Sequence, residues 1–63
     1  MLVYNQLVKI HHTTSPFLDG KYAHVKGISS NHAEATYYII EMYELLENGY
    51  TNLVLSEHCL ESV

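Results

Sequence analysis

The stretch KYAHVKGIS, residues 21–29, alternates apolar and polar side chains with a period of two, and the alternation slips at one position, Gly27. Ala23 and Val25 point to one face and Tyr22, His24 and Lys26 to the other, the pattern of a strand with one buried side. A glycine where the period breaks marks a β-bulge, which bends a strand and raises its twist. Beyond that bend Ile28 is expected to rejoin the Ala23/Val25 face. Barrels need such bends. The segment NQLVKIHH repeats the alternation, with Val8 and Ile10 on one face and Leu7, Lys9 and His11 on the other. TTSPFLDG, between the two, reads as a loop: Pro16 fixes its own φ and Asp19-Gly20 is a turn signal.

The glycines do not form a phosphate cradle. A nucleotide-binding G-x-G-x-x-G needs three glycines between a strand and a helix, whereas Gly20 and Gly27 bracket a strand. With 63 residues the chain is expected to be a single domain, 1–63. Cys59 is the only cysteine, so no internal disulfide can staple it. Stability then has to come from efficient packing or from association. No apolar run approaches the ~18 residues of a membrane helix. MLVYNQLVKI lacks the layout of a signal peptide. A cytoplasmic setting without membrane partners is the expectation.

The stretch SSNHAEATYYIIEMYELLENGY supports two readings. As a helix, Asn31 caps it with Glu34 three residues on, Gly49 ends it, and Ala35, Ile39, Met42 or Tyr43, and Leu46 line one face. As a strand, TYYIIEMY is dense in β-branched and aromatic residues, with Tyr38, Ile40 and Met42 inward and Tyr37, Ile39, Glu41 and Tyr43 outward. Asn48-Gly49 then sits in the loop before a strand TNLVL. Local propensity for residues 32–47 slightly favours the helix.

The order of short motifs along residues 5–63 resembles a small SH3-like β-barrel of the KOW-like kind. These motifs are Asp19-Gly20-Lys21-x-x-x-Val25, Gly27-Ile28, TYYIIEM, and the closing GYTNLVLSEHCLESV. More narrowly, the chain resembles the short SH3-like proteins encoded by tailed bacteriophages. In those a Gly-Lys turn opens the second strand, a Tyr-rich third strand follows, and a segment like Glu57-His58-Cys59-Leu60-Glu61 closes the chain. The close of the chain is also similar to that of the SH3-like stromal subunits of photosystem I. The resemblance implies an all-β fold, a single barrel of about five strands with a 3₁₀ turn before the last strand. It selects the strand reading of 36–43. Ala23 stands where the KOW pattern has glycine, and the basic loop residues of RNA-binding KOW domains are missing.

Charge and residue spacing then narrow the function classes. Seven acidic side chains against three lysines give a net charge of −4, which weighs against nucleic acid, because phosphate backbones are bound by clustered Lys and Arg. A single-stranded nucleic-acid binder, with aromatics stacking on bases, stands as the alternative function. Five histidines raise a second alternative, a metal-dependent sensor. Structural zinc, however, wants close ligand pairs such as C-x₂-C or H-x₃-H. His11 and His12 are adjacent and on a strand point to opposite faces; His58 and Cys59 are adjacent in a turn; His24 and His32 have no partner at ligand spacing. No metal site and no cofactor are expected. Ser56-Glu57-His58 holds a hydroxyl, an acid and an imidazole, but consecutive residues cannot converge on one substrate atom. Ser56 is expected to cap a turn, and Cys59 to be a small buried apolar residue. No catalytic residues are assigned.

What remains is surface. The outer face of the third strand carries Tyr37, Ile39 and Tyr43 around Glu41, beside Tyr22 and His24 of the second. Aromatics with polar tips are common interface anchors. Leu45, Leu46 and Tyr50, in the loop that follows, extend the exposed apolar inventory. These six residues, Tyr22, His24, Tyr37, Ile39, Glu41 and Tyr43, are the expected partner-binding site of a non-enzymatic protein-interaction module able to self-associate. The phage resemblance implies an accessory protein acting on a host or phage protein in the host cytoplasm.

Overall fold

The computed structural model describes residues 2–44 and 49–63, with the side chains of all of these except Tyr43, Glu44 and Tyr50. The chain is all-β. Strands β1 (Leu7–Ile10), β2 (Tyr22–Asn31), β3 (Thr36–Glu44) and β4 (Gly49–Ser56) run as an antiparallel meander. A 3₁₀ turn, Glu57–Cys59, leads from β4 into β5 (Leu60–Ser62), which pairs with β1. The sheet order is β4-β3-β2-β1-β5.

That order forces curvature. β4 and β5 lie at opposite edges, four strand spacings or about 19 Å apart in a flat sheet. The 3₁₀ turn joining them advances only about 8 Å from Ser56 to Leu60. The sheet therefore wraps round its apolar face into a small five-stranded barrel. Val8, Ile10, Ala23, Val25, Tyr38, Ile40, Met42 and Leu60 form the core, so among the described residues β1, β2, β3 and β5 each supply a buried side chain. Leu53 and Leu55 of β4, half-buried, pack against it.

The bend that makes this possible sits where the alternation slips. Val25 faces Ile40 and Gly27 faces Ile39, leaving Lys26 as the extra residue of a bulge. A second irregularity follows between Ile28 and Ser30. Ile28 regains the inward register, opposite Tyr38, but it stays 52% exposed because it lies beyond the end of the core. Ile28 thus rejoins the Ala23/Val25 face, as the slip in the alternation suggests, without being buried there.

The strand reading of β3 holds. Asn31, the cap of the alternative helix, instead ends β2, where its Oδ1 accepts from Thr36 Oγ1 at 2.9 Å. Strand β4 begins at Gly49, so Gly49 and Tyr50 belong to the strand and not to the preceding loop. Leu45 and Leu46 lie outside the described residues.

The β1–β2 loop is held from within. Asp19 accepts from Thr13 N at 3.0 Å and Thr13 Oγ1 at 2.6 Å, and Gly20 N donates to Ile10 O at 2.7 Å. Gly20 adopts φ 89°, and a Cβ there would meet nothing within 4 Å. The position needs glycine for its backbone and not for space. Gly20→Ala is expected to cost about 1–2 kcal/mol through the left-handed conformation alone. Urea denaturation should show a lower midpoint with an unchanged slope.

Candidate functional site

Strand alternation puts Tyr38, Ile40 and Met42 inside and leaves Tyr37, Ile39 and Glu41 on the outer face, as the period of two requires. The register then spreads the expected site along the sheet. Ile39 lies between Gly27 of β2 and Val54 of β4, and Tyr37 between Ser30 and Ser56. Glu41 lies between His24 and Asn52. Tyr22 sits two positions beyond His24, across from Lys9 of β1. Tyr22 and Tyr37 therefore occupy opposite ends of the face, separated by about six residues of strand or ~20 Å. The side chain of Tyr43 lies outside the described ones.

The two ends differ in chemistry. At the Tyr22 end, Lys26 Nζ stands 3.8 Å from Glu41 Oε1, bonds Asn5 Oδ1 at 2.6 Å and lies 5.2 Å above the Tyr4 ring. Glu41 is thus paired within its own molecule, though such a half-exposed pair contributes little stability. At the other end, Tyr37 (38% exposed), half-buried Ile39 and Val54 (52% exposed) form an apolar row. Gly27 leaves open space beside Ile39, since a Cβ there would meet nothing within 4 Å. Sequence reasoning missed Val54. Its signal was the alternation in TNLVL, where Leu53 and Leu55 turn inward and Val54 outward.

Tyr37 also borders an open groove of ≈ 790 Å³ at the end of the barrel, lined by Ser30, His32, Glu34 and His58. The His32 ring meets Tyr37 edge-on, with centroids 5.7 Å apart at 87°. His58 Nε2 lies 3.4 Å from the Glu34 carbonyl oxygen. Glu57 accepts from Thr36 N at 3.0 Å, and Ser56 Oγ caps the 3₁₀ turn by accepting from His58 N at 3.2 Å. The hydroxyl and the acid of Ser56-Glu57-His58 both hold the turn against the sheet.

The expectation that His11 and His12 point apart is overturned. β1 ends at Ile10, His12 takes φ 56°, and the two rings meet edge-on with Nδ1 against Nδ1. The alternation of a strand does not apply past its last residue. Beside them, Asp19 has its pKa lowered, first by the hydrogen bonds from Thr13 and then by the two histidines. Cys59 is half-buried, its Sγ 3.8 Å from the His12 carbonyl oxygen. Among the described residues no three His, Cys, Asp or Glu side chains are grouped to hold a metal ion.

The fold and surface define a small all-β barrel with an apolar core and an apolar row on the outer side of its sheet. No protein-family model, curated protein or solved structure matches the chain.

Proposed function

We infer that this protein is a non-enzymatic interaction module that binds a protein through the outer face of β3, centred on Tyr37, Ile39 and Val54. The uncovered apolar row at these residues carries the reading. It faces away from the core, and none of its three residues belongs to the buried cluster. Rigid aromatic and aliphatic side chains around a notch are what a partner's anchor residue requires. The engagement of Ser56 and Glu57 in the 3₁₀ turn supports the non-enzymatic part. The likeness to SH3-like proteins of tailed phages supports an accessory role on a host or phage protein in the host cytoplasm. Nucleic acid is the weaker reading, because Lys26 is engaged by Asn5 and Glu41, and Lys9 lies across from Glu61.

The test is site-specific photo-crosslinking from position 37 in a bacterial lysate, with and without Ile39→Asp. The expected result is a discrete protein adduct that the charged variant loses, with circular dichroism showing the barrel still folded. An adduct pattern indifferent to Ile39→Asp would place the interface elsewhere.

A further inference from the structure

We propose that two copies of this chain join edge to edge through β4, about a two-fold axis at Val54, making one continuous sheet. The proposal rests on the reading of the outer face as an interaction surface and names a second copy as its partner.

The two edges of the sheet are unequal. β5 is three residues long and carries Glu61 at its centre. β4 is eight residues long, Gly-Tyr-Thr-Asn-Leu-Val-Leu-Ser, and pairs with β3 along its whole length without a bulge. Among the described residues, no backbone hydrogen bond leaves β4 except toward β3. Antiparallel strands aim the N–H and C=O of alternate residues to opposite sides, so about half of the β4 backbone faces outward unpaired. Proteins usually guard such an edge with a charge, a proline, a bulge or brevity. β4 has none of these.

Composition selects the second copy. Of the five described strands β4 alone has no charged residue: β1 has Lys9, β2 has Lys26, β3 has Glu41 and Glu44, and β5 has Glu61. A strand paired with itself about a two-fold axis meets its own side chains, so any charge near the axis would oppose itself. Faces match only when residues of like parity are opposed. With the axis at Val54, Val54 meets Val54 of the second copy, Leu53 meets Leu55, and Asn52 meets Ser56. Apolar faces apolar and polar faces polar. Moving the axis to Leu53 sets Val54 against Asn52 and Leu55 against Thr51. On the outer side the Val54 axis aligns Ile39, Val54 and their two counterparts in one stripe. On the inner side it covers the half-buried Leu53 and Leu55.

The experiment is sedimentation equilibrium of the full chain. Wild type is expected to dimerise at micromolar to high-micromolar concentration. Val54→Lys and Val54→Glu, each placing like charges across the axis, should each weaken association at least ~10-fold while circular dichroism stays unchanged. An equimolar mixture of the two variants should recover the dimer, because Lys then faces Glu. As a second measurement, Val54→Cys in a Cys59→Ser background should cross-link on mild oxidation, and Asn52→Cys should not. A monomeric wild type, a mixture that fails to re-associate, or equal cross-linking at positions 52 and 54 overturns the proposal. The photo-crosslink from position 37 to another protein is read separately, so loss of the dimer does not by itself remove the interaction surface.

Discussion

Tyr38→Ala is expected to leave the chain largely unfolded in water at 25 °C, while Tyr38→Phe stays within about 1 kcal/mol of wild type. Among the described residues Tyr38 is the largest fully buried side chain, only 2% exposed. It stands between Ile28 of β2 and Leu55 of β4 in the register. Removing a buried aromatic ring typically costs about 3–5 kcal/mol in lost transfer energy and cavity. A domain of this size has roughly 3–9 kcal/mol of total stability, with no disulfide to support it. The hydroxyl matters less. It accepts one long bond from Leu2 N at 3.4 Å, at the rim of the barrel. A bond of that kind contributes on the order of 1 kcal/mol or less. Circular dichroism with urea titration checks both variants. A Tyr38→Ala protein with a midpoint near that of wild type would mean that the core does not depend on this ring.

A carboxylate at Ile40 should be more damaging still, and its contrast with Ile39 is the sharper measurement. Ile40 is 0% exposed, flanked by Val25 and Leu53, and the described core contains no buried polar or charged residue to pair with an acid. An uncompensated buried charge is among the few single changes that cost more than about 4 kcal/mol. Ile40→Asp is therefore expected to be unfolded at pH 7. Burial raises the pKa of such an acid in the folded state, so the stability it removes is greatest at neutral pH and partly returns as pH falls and the carboxyl becomes neutral. Ile39→Asp, one residue away and on the outer face, should fold. Matching the two variants by circular dichroism at pH 7 and near pH 4.5 reads the inside and outside of β3 directly. If both fold, or neither does, the alternation assigned to β3 is wrong.

The alternation was legible because a period of two is local physics. A half-buried strand must place every second side chain in the core, and Val8, Ile10, Ala23, Val25, Tyr38, Ile40 and Met42 can be picked out on that ground. The bulge before Gly27 was legible for the same reason, as a break in the period, whereas the second irregularity, between Ile28 and Ser30, carried no such mark. Ser56 could be recognised as a cap from its position before an acidic turn. Residues 32–47 were different. A capping pair and a strand-dense run overlap there, and the choice depends on whether β2 and β4 are available to pair on both sides, which no local pattern contains.

The surface was legible only in part. Parity puts Tyr37, Ile39 and Glu41 outside, yet it is silent on what lies beside them. Val54 as the neighbour of Ile39, the pairing of Glu41 with Lys26, and the distance between Tyr22 and Tyr37 all follow from register. Register is set by the two irregularities in β2 and by loop lengths acting across the whole sheet. The meeting of His11 with His12 likewise required the backbone to leave the strand at Ile10. By itself, then, the sequence determined which side of each strand is buried, because burial follows from side-chain periodicity along the chain. Only the tertiary structure decided which outward residues share a patch and which edge stays open, because those depend on the order in which strands separated in sequence come to lie side by side.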